Sequence, residues 1–148
     1  MAARKDSFGH RFRAIPNRTV PWQDKEVKPL LNQPDGVKIK LFHRDPGMKR
    51  LDFIVKFPKG HVEGRHTHKS WHTCLVMKGR VIVDGKTYRP GDYVFGWTEA
   101  HGPLHYPDGA EIFVVFMGEG SQHEWVEPEG DGKAGRAAPR AKKKSVRR

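Results

Sequence analysis

The stretch Gly60-His61-Val62-Glu63-Gly64-Arg65-His66-Thr67-His68-Lys69-Ser70-Trp71-His72-Thr73-Cys74-Leu75-Val76-Met77-Lys78-Gly79 decides how this chain is read. Its histidines at 66, 68 and 72 share one parity, and along a strand residues of equal parity face the same side. All three imidazoles can therefore enter one cavity. Neutral imidazole is the commonest protein ligand for zinc, iron, nickel and copper. Ligands at i and i+2 form a preformed bite. A third ligand four positions on and a fourth from a facing strand leave one or two coordination positions open, as a catalytic metal requires. A lone strand histidine is usually a surface residue; three on one face, bracketed by Gly60 and Gly79, point to a metal centre.

Outward from this stretch the pattern is that of short strands. Val37-Lys38-Ile39-Lys40-Leu41 alternates apolar and polar residues, the period of a strand with one buried face. Leu51 to Phe57, Thr73 to Met77, Tyr93-Val94-Phe95 and Glu111 to Met117 read the same way. Asp84-Gly85 between Val81-Ile82-Val83 and Tyr88 is a strong hairpin signal. Asp45-Pro46-Gly47 and Pro90-Gly91-Asp92 are turns. No stretch of ten residues has a convincing amphipathic helical period. Gly/Pro turns at short intervals predict an all-β sandwich or barrel.

The ends differ from this middle. Residues 1–35 contain Pro16, Pro21, Pro29 and Pro34 and read as an extended arm, with Trp22 and Leu30-Leu31 packing on the barrel. The barrel is expected over residues 36–127. Residues 128–148 are poor in apolar side chains, and such composition predicts a disordered basic tail. The net charge of +11 belongs to these ends, because residues 132–148 carry eight Lys/Arg and no acid. The middle, with 13 basic and 14 acidic side chains over residues 29–131, is close to neutral. Lys142-Lys143-Lys144 with Arg147-Arg148 is read as a solubilising tail, so no specific nucleic-acid partner is expected.

The single cysteine, Cys74, excludes an intrachain disulfide and a cysteine-rich zinc module. It reads as a small hydrophobe facing out of the barrel interior. No apolar run approaches the length of a membrane span, and Met1-Ala2-Ala3-Arg4-Lys5 lacks a signal-peptide core. No membrane partner is expected, and the cytoplasm is the default location. The chain lacks a P-loop, a dinucleotide fingerprint and a Gly-x-Ser-x-Gly nucleophile elbow.

The spacing Gly60-x5-His66-x-His68-x3-His72-x6-Gly79 resembles the first motif of the cupin superfamily. Pro90-Gly91-Asp92, followed by His101 in Glu99-Ala100-His101-Gly102-Pro103, resembles the looser second motif. The chain is similar over about residues 20–118. Arg65-His66-Thr67-His68 followed by Trp71-His72 is most similar to the branch holding acetylacetone-cleaving and dihydroxyacetophenone dioxygenases and an anti-sigma-factor zinc cupin. The resemblance implies a double-stranded β-helix, the jelly-roll cupin barrel. It implies metal ligation by His66, His68 and His101, with His72 at a fourth position usually held by Glu. His105 is the alternative to His101.

An imidazole in place of a carboxylate leaves the metal's charge undiminished, which favours an anionic or bidentate small-molecule substrate. Glu99 and Tyr93 are the candidate catalytic residues: Glu99 as an acceptor for a ligand imidazole, Tyr93 with Trp71, Phe95 and Trp97 in an aromatic set near the site. Phe95 is better read as core filling. The resemblance implies one divalent transition metal, Fe(II) first, with Zn, Ni or Mn as alternatives. It implies a non-haem iron dioxygenase that cleaves a carbon–carbon bond of a small β-dicarbonyl or hydroxyketone. The alternatives are a non-oxidative lyase or isomerase and a non-catalytic metal-binding or sensing cupin. A homodimer is expected by analogy.

Overall fold

The computed structural model describes residues 13–96 and 98–127. Eleven strands follow one another there: β1 (Lys38–Asp45), β2 (Arg50–Phe57), β3 (His61–Glu63), β4 (His66–Thr67), β5 (Ser70–Gly79), β6 (Val81–Val83), β7 (Lys86–Tyr88), β8 (Tyr93–Gly96), β9 (Leu104–Tyr106), β10 (Ala110–Gly118) and β11 (Glu124–Trp125). They form a five-stranded sheet in the order β1-β2-β10-β5-β8, a four-stranded sheet β3-β9-β6-β7, and a short β11-β4 pair. Residues from both larger sheets line one cavity, so the sheets enclose it as the walls of a jelly-roll barrel. Every strand expected from the sequence is present. β3, β4, β9 and β11, each two or three residues long, were not signalled.

The inner face of the larger sheet is set by antiparallel register. β10 alternates, burying Ala110, Ile112, Val114 and Phe116. Val114 lies beside Phe53 on β2 and Cys74 on β5, while Phe116 lies beside Leu51 and His72. Each fully buried side chain of this size contributes roughly 1.5–3 kcal/mol through removal of apolar surface from water. The same rows bring His72 and Cys74 to the barrel interior. Cys74 therefore faces inward, contrary to expectation: it has the parity of His72 and lines the cavity with it.

The arm is more structured than its prolines suggest. Gln23 bridges to Ile39, and Val27–Leu31 forms a single helical turn, α1. Pro29 is tolerated there because first-turn N–H groups have no partner within a helix. Val27, Leu30 and Leu31 are buried in the main core. Asn32 ends the turn in the left-handed conformation, φ 52°, donating its N–H to the Lys28 carbonyl. The expected packing of Leu30 and Leu31 is thus observed, through a helical turn rather than an extended segment. The expectation of a disordered tail falls on residues 128–148, which lie outside the described residues.

Candidate metal centre

Four elements bring the histidines together. His66 stands on β4, His68 just beyond it, His72 on β5, and His101 on the segment leading to β9. Reciprocal backbone hydrogen bonds of 2.9 Å join His66 and His101, fixing the two halves of the site to each other. The ring centroids of His66 and His101 are 4.3 Å apart, and those of His68 and His101 are 5.2 Å apart. One ligand atom from each of His66, His68 and His101 falls within 4.8 Å of the others.

The tautomers suit ligation. Nδ1 of His66 lies 2.8 Å from the Gly64 carbonyl, Nδ1 of His68 2.6 Å from Ser70, and Nδ1 of His101 2.8 Å from Glu99. A nitrogen facing a carbonyl carries the proton, so Nε2 of His68 and of His101 keeps its lone pair, while Nε2 of His66 also faces the Glu63 carboxylate at 3.2 Å. Metal-ligating histidines are oriented in this way by the hydrogen bond of their other nitrogen. Burial lowers His66 and His68 to about 4 and His72 to about 3, with the neighbouring imidazoles adding to the effect. These three rings are neutral near pH 7, the form a metal needs. The donor set fits one divalent transition metal.

His72 lines the same cavity, its ring 4.5 Å from that of His68. It stands outside the close triad, and its buried Nδ1 has no partner among the described residues. His105 lies on β9, exposed, opposite Val62 and Ile82 and away from the cavity. His101, rather than His105, is thus the histidine brought to His66 and His68. Tyr93 is 61% exposed on β8, paired with the exposed Leu75 on the outer face, and is not brought to the histidines. Glu99 sits at the cavity wall, and its backbone carbonyl, rather than its carboxylate, holds the His101 ring. Phe95 is 57% exposed beside Trp71 and is not core filling. Trp97 lies outside the described residues.

Three participants escape the sequence reading. Glu63, His66 and His123 form a second group of ligand atoms within 4.8 Å of one another, all buried. Oε1 of Glu63 lies 2.9 Å from Nε2 of His123 and 3.2 Å from Nε2 of His66. Tyr106 donates its hydroxyl to the other Glu63 oxygen at 2.8 Å. Burial alone would raise the Glu63 carboxyl, but His123, His66 and the Tyr106 hydroxyl outweigh it and hold it at about 2. Burial, together with the same carboxylate, pushes Tyr106 well above its ordinary value. A negative charge is therefore built into the site from β3. Buried Glu63 thus offsets part of the charge that position 72 alone would leave to the metal. Glu63 stands three residues before His66, a spacing that strand parity places on the opposite face; the break at Gly64-Arg65 turns it inward.

The cavity enclosed by these residues measures about 480 Å3. Beyond the polar cluster its walls are apolar, with Phe53, Val55, Ile112 and Val114 from one sheet and Val81 and Leu104 from the other.

A β-barrel whose mainly apolar cavity gathers imidazoles able to hold a metal is the architecture of a cupin. The family model of the ChrR cupin-like domain matches residues 18–123, and the chain belongs to this family. Among solved structures it is similar to a candidate acetylacetone dioxygenase from Methylibium petroleiphilum, with 21% identity, a TM-score of 0.63, and coverage of 84% of this chain and 88% of that one. It is similar to an acetylacetone dioxygenase from Acinetobacter johnsonii, with 18% identity, a TM-score of 0.57, and 80% of each chain covered. An RmlC-like cupin from Shewanella frigidimarina follows at 20% identity, a TM-score of 0.55, and coverage of 70% and 87%. At such identities these likenesses establish the fold. No curated protein matches the sequence. Among the described residues no helix is long and apolar enough to cross a membrane.

Proposed function

We propose that the chain is a metal-dependent cupin enzyme, a non-haem iron dioxygenase that cleaves a carbon–carbon bond of a small β-dicarbonyl or hydroxyketone. The observation that carries this reading is the convergence of three imidazoles with pinned Nδ1 protons on an apolar cavity large enough for such a molecule. His66, His68 and His101 would hold the metal. A divalent iron there would polarise the substrate's oxygens and supply the redox chemistry that O2 requires.

The chain's own residues do the rest. The apolar walls exclude water and hold the substrate's carbon skeleton. The Gly64, Ser70 and Glu99 carbonyls keep the three rings aimed inward. Buried Glu63, ionised at neutral pH, offsets positive charge in the cavity, and Tyr106 and His123 hold it in place. His72 forms a wall beside His68. Because His72 lies outside the close triad, the geometry favours an open three-histidine centre over a closed four-histidine zinc shell, and so an enzyme over a sensor.

The test is elemental analysis of anaerobically purified protein, followed by oxygen-electrode assays with diketones and hydroxyketones. Iron at about one per chain with ketone-dependent oxygen uptake supports the reading. Turnover without oxygen uptake overturns the dioxygenase in favour of a lyase or isomerase.

A further inference from the structure

Gln33 is 2% exposed and lines the cavity that holds His66, His68, His72 and His101. Neither its Oε1 nor its Nε2 has a hydrogen-bond partner among the described residues. Exchanging the two ends of the amide changes nothing, because both are bare. Burial of a carboxamide with neither end paired destabilises a fold, so such a group calls for a partner from elsewhere.

Gln33 is positioned by the turn that precedes it. It follows the left-handed cap at Asn32, which closes α1. Leu30 and Leu31 anchor that turn in the core. The segment leading to β11 is tied to the same turn: Ser121 Oγ donates to the Leu30 carbonyl at 2.6 Å, Gln122 Nε2 to that of Pro29 at 2.8 Å, and His123 Nδ1 to that of Leu31. Asn32 Nδ2 reaches back to the His123 carbonyl at 3.5 Å. Gln33, which lines the cavity, thus follows a backbone held on its N-terminal side by these bonds.

We propose that Gln33 determines ligand specificity in this cavity by recognising a ligand group that donates and accepts a hydrogen bond, above all a hydroxyl. A hydroxyl donates to Oε1 and accepts from Nε2, satisfying both ends of the amide at once. A ketone or carboxylate at this position would satisfy Nε2 and leave Oε1 bare, and an alkyl group would leave both bare. Rejection of the analogue lacking such a group is strong where the protein's own polar atoms are otherwise stranded. The apolar walls that share the cavity with Gln33 suit a ligand with an apolar body that also carries such a group. What else the ligand carries rests on the proposed function; the role of Gln33 does not.

The test compares benzoylacetone with its para-hydroxyl derivative, which share one diketone end, by isothermal titration of the anaerobic, iron-loaded full chain. The wild type should bind the hydroxyl derivative about tenfold more tightly, and Gln33→Leu should abolish the preference. Equal affinities in the wild type, or a preference that survives Gln33→Leu, would overturn the proposal. Thermal unfolding without ligand gives an independent measure. Gln33→Leu should hold or raise the midpoint, because it removes a buried unpaired amide, whereas a fall of several degrees would show the amide already partnered within the protein. If neither diketone binds the wild type, the diketone reading of the site fails, and the thermal result alone decides whether the Gln33 amide is held free for a ligand.

Discussion

Gly96 lies directly across from His72 in the antiparallel pairing of β5 with β8, and a Cβ at position 96 would come within 2.3 Å of the His72 ring. The absence of a side chain at Gly96 leaves the room that the imidazole occupies. The neighbouring row carries Val94 opposite Cys74, so the sheet is uninterrupted except where His72 needs room.

Gly96→Ala should therefore displace the His72 ring toward the cavity or push β8 outward. Forced overpacking of this kind destabilises by about 1–3 kcal/mol. The loss would be read as a lower urea midpoint with an unchanged slope. Combining it with His72→Ala should recover most of the loss, since the clash then has no partner. A double variant no more stable than Gly96→Ala alone would show that the crowding lies elsewhere.

The long strands were legible because alternation over five or more residues is a strong signal, and Val37–Leu41, Leu51–Phe57 and Glu111–Met117 all carry it. The short strands were not, since two or three residues such as His66-Thr67 or Glu124-Trp125 show no period at all. The triad was legible for a related reason: His66 and His68 share a local spacing, and His101 follows a turn of recognisable composition. Glu63 and His123 were hidden by two different effects. The break at Gly64-Arg65 resets strand parity for Glu63. His123 lies far along the chain from Glu63, and their contact depends on where β10 delivers the chain. Gln33 was hidden because its neighbours, Leu31 and Pro34, signal only an apolar turn. Tyr93 and Phe95 show the reverse effect: aromatic character suggests an inward face, but they alternate with Val94 and Gly96, whose row faces Cys74 and His72, and so lie on the outer face of β8.

Removing a ligand imidazole should remove the metal. His66→Ala and His68→Ala each delete one of three converging nitrogens, which the cavity can replace only by water. Elemental analysis of the purified variants should show loss of most bound metal in both, whereas His105→Ala, altered on the outer face of β9, should retain it. Full retention in both His66→Ala and His68→Ala would overturn the triad.

Acid should weaken the metal-free protein in a defined window. His66 and His68 are held at about 4 and His72 at about 3, against an ordinary 6.5, so the folded form resists protonation that the unfolded chain accepts. Stability is then unaffected by these rings above about pH 6.5 and falls as pH drops from there toward 4. Each ring adds about 1.4 kcal/mol per pH unit to the slope within its window. Glu63, held at about 2 against an ordinary 4.5, extends the fall to lower pH, since its depressed value favours the folded form only while it is ionised. Urea midpoints of chelator-treated protein at about pH 7 and about pH 5 would differ clearly, and His72→Phe should reduce that difference. Equal midpoints would mean that the imidazoles are protonated or solvated in the folded state.

His72→Glu tests whether position 72 sets the charge seen by a ligand. A glutamate is no bulkier than the histidine it replaces and fits beneath Gly96, so the fold and the bound metal should survive. The new carboxylate would stand beside a cavity already carrying the buried charge of Glu63. By Coulomb's law at an effective dielectric of about 20, a unit charge some 5 Å away changes an interaction by roughly 3 kcal/mol before relaxation. Binding of the acetylacetone enolate to anaerobic, metal-loaded protein should weaken by a large fraction of that energy, while a neutral ketone of similar size should be little affected. Because a second buried carboxylate is hard to keep ionised, part of the effect should return as a raised carboxyl pKa and should fade as pH falls. Isothermal titration with both ligands at two pH values separates the outcomes. Equal losses for enolate and ketone would mean that His72 acts through the shape of the wall, and no loss for either would place its ring beyond the reach of the bound ligand.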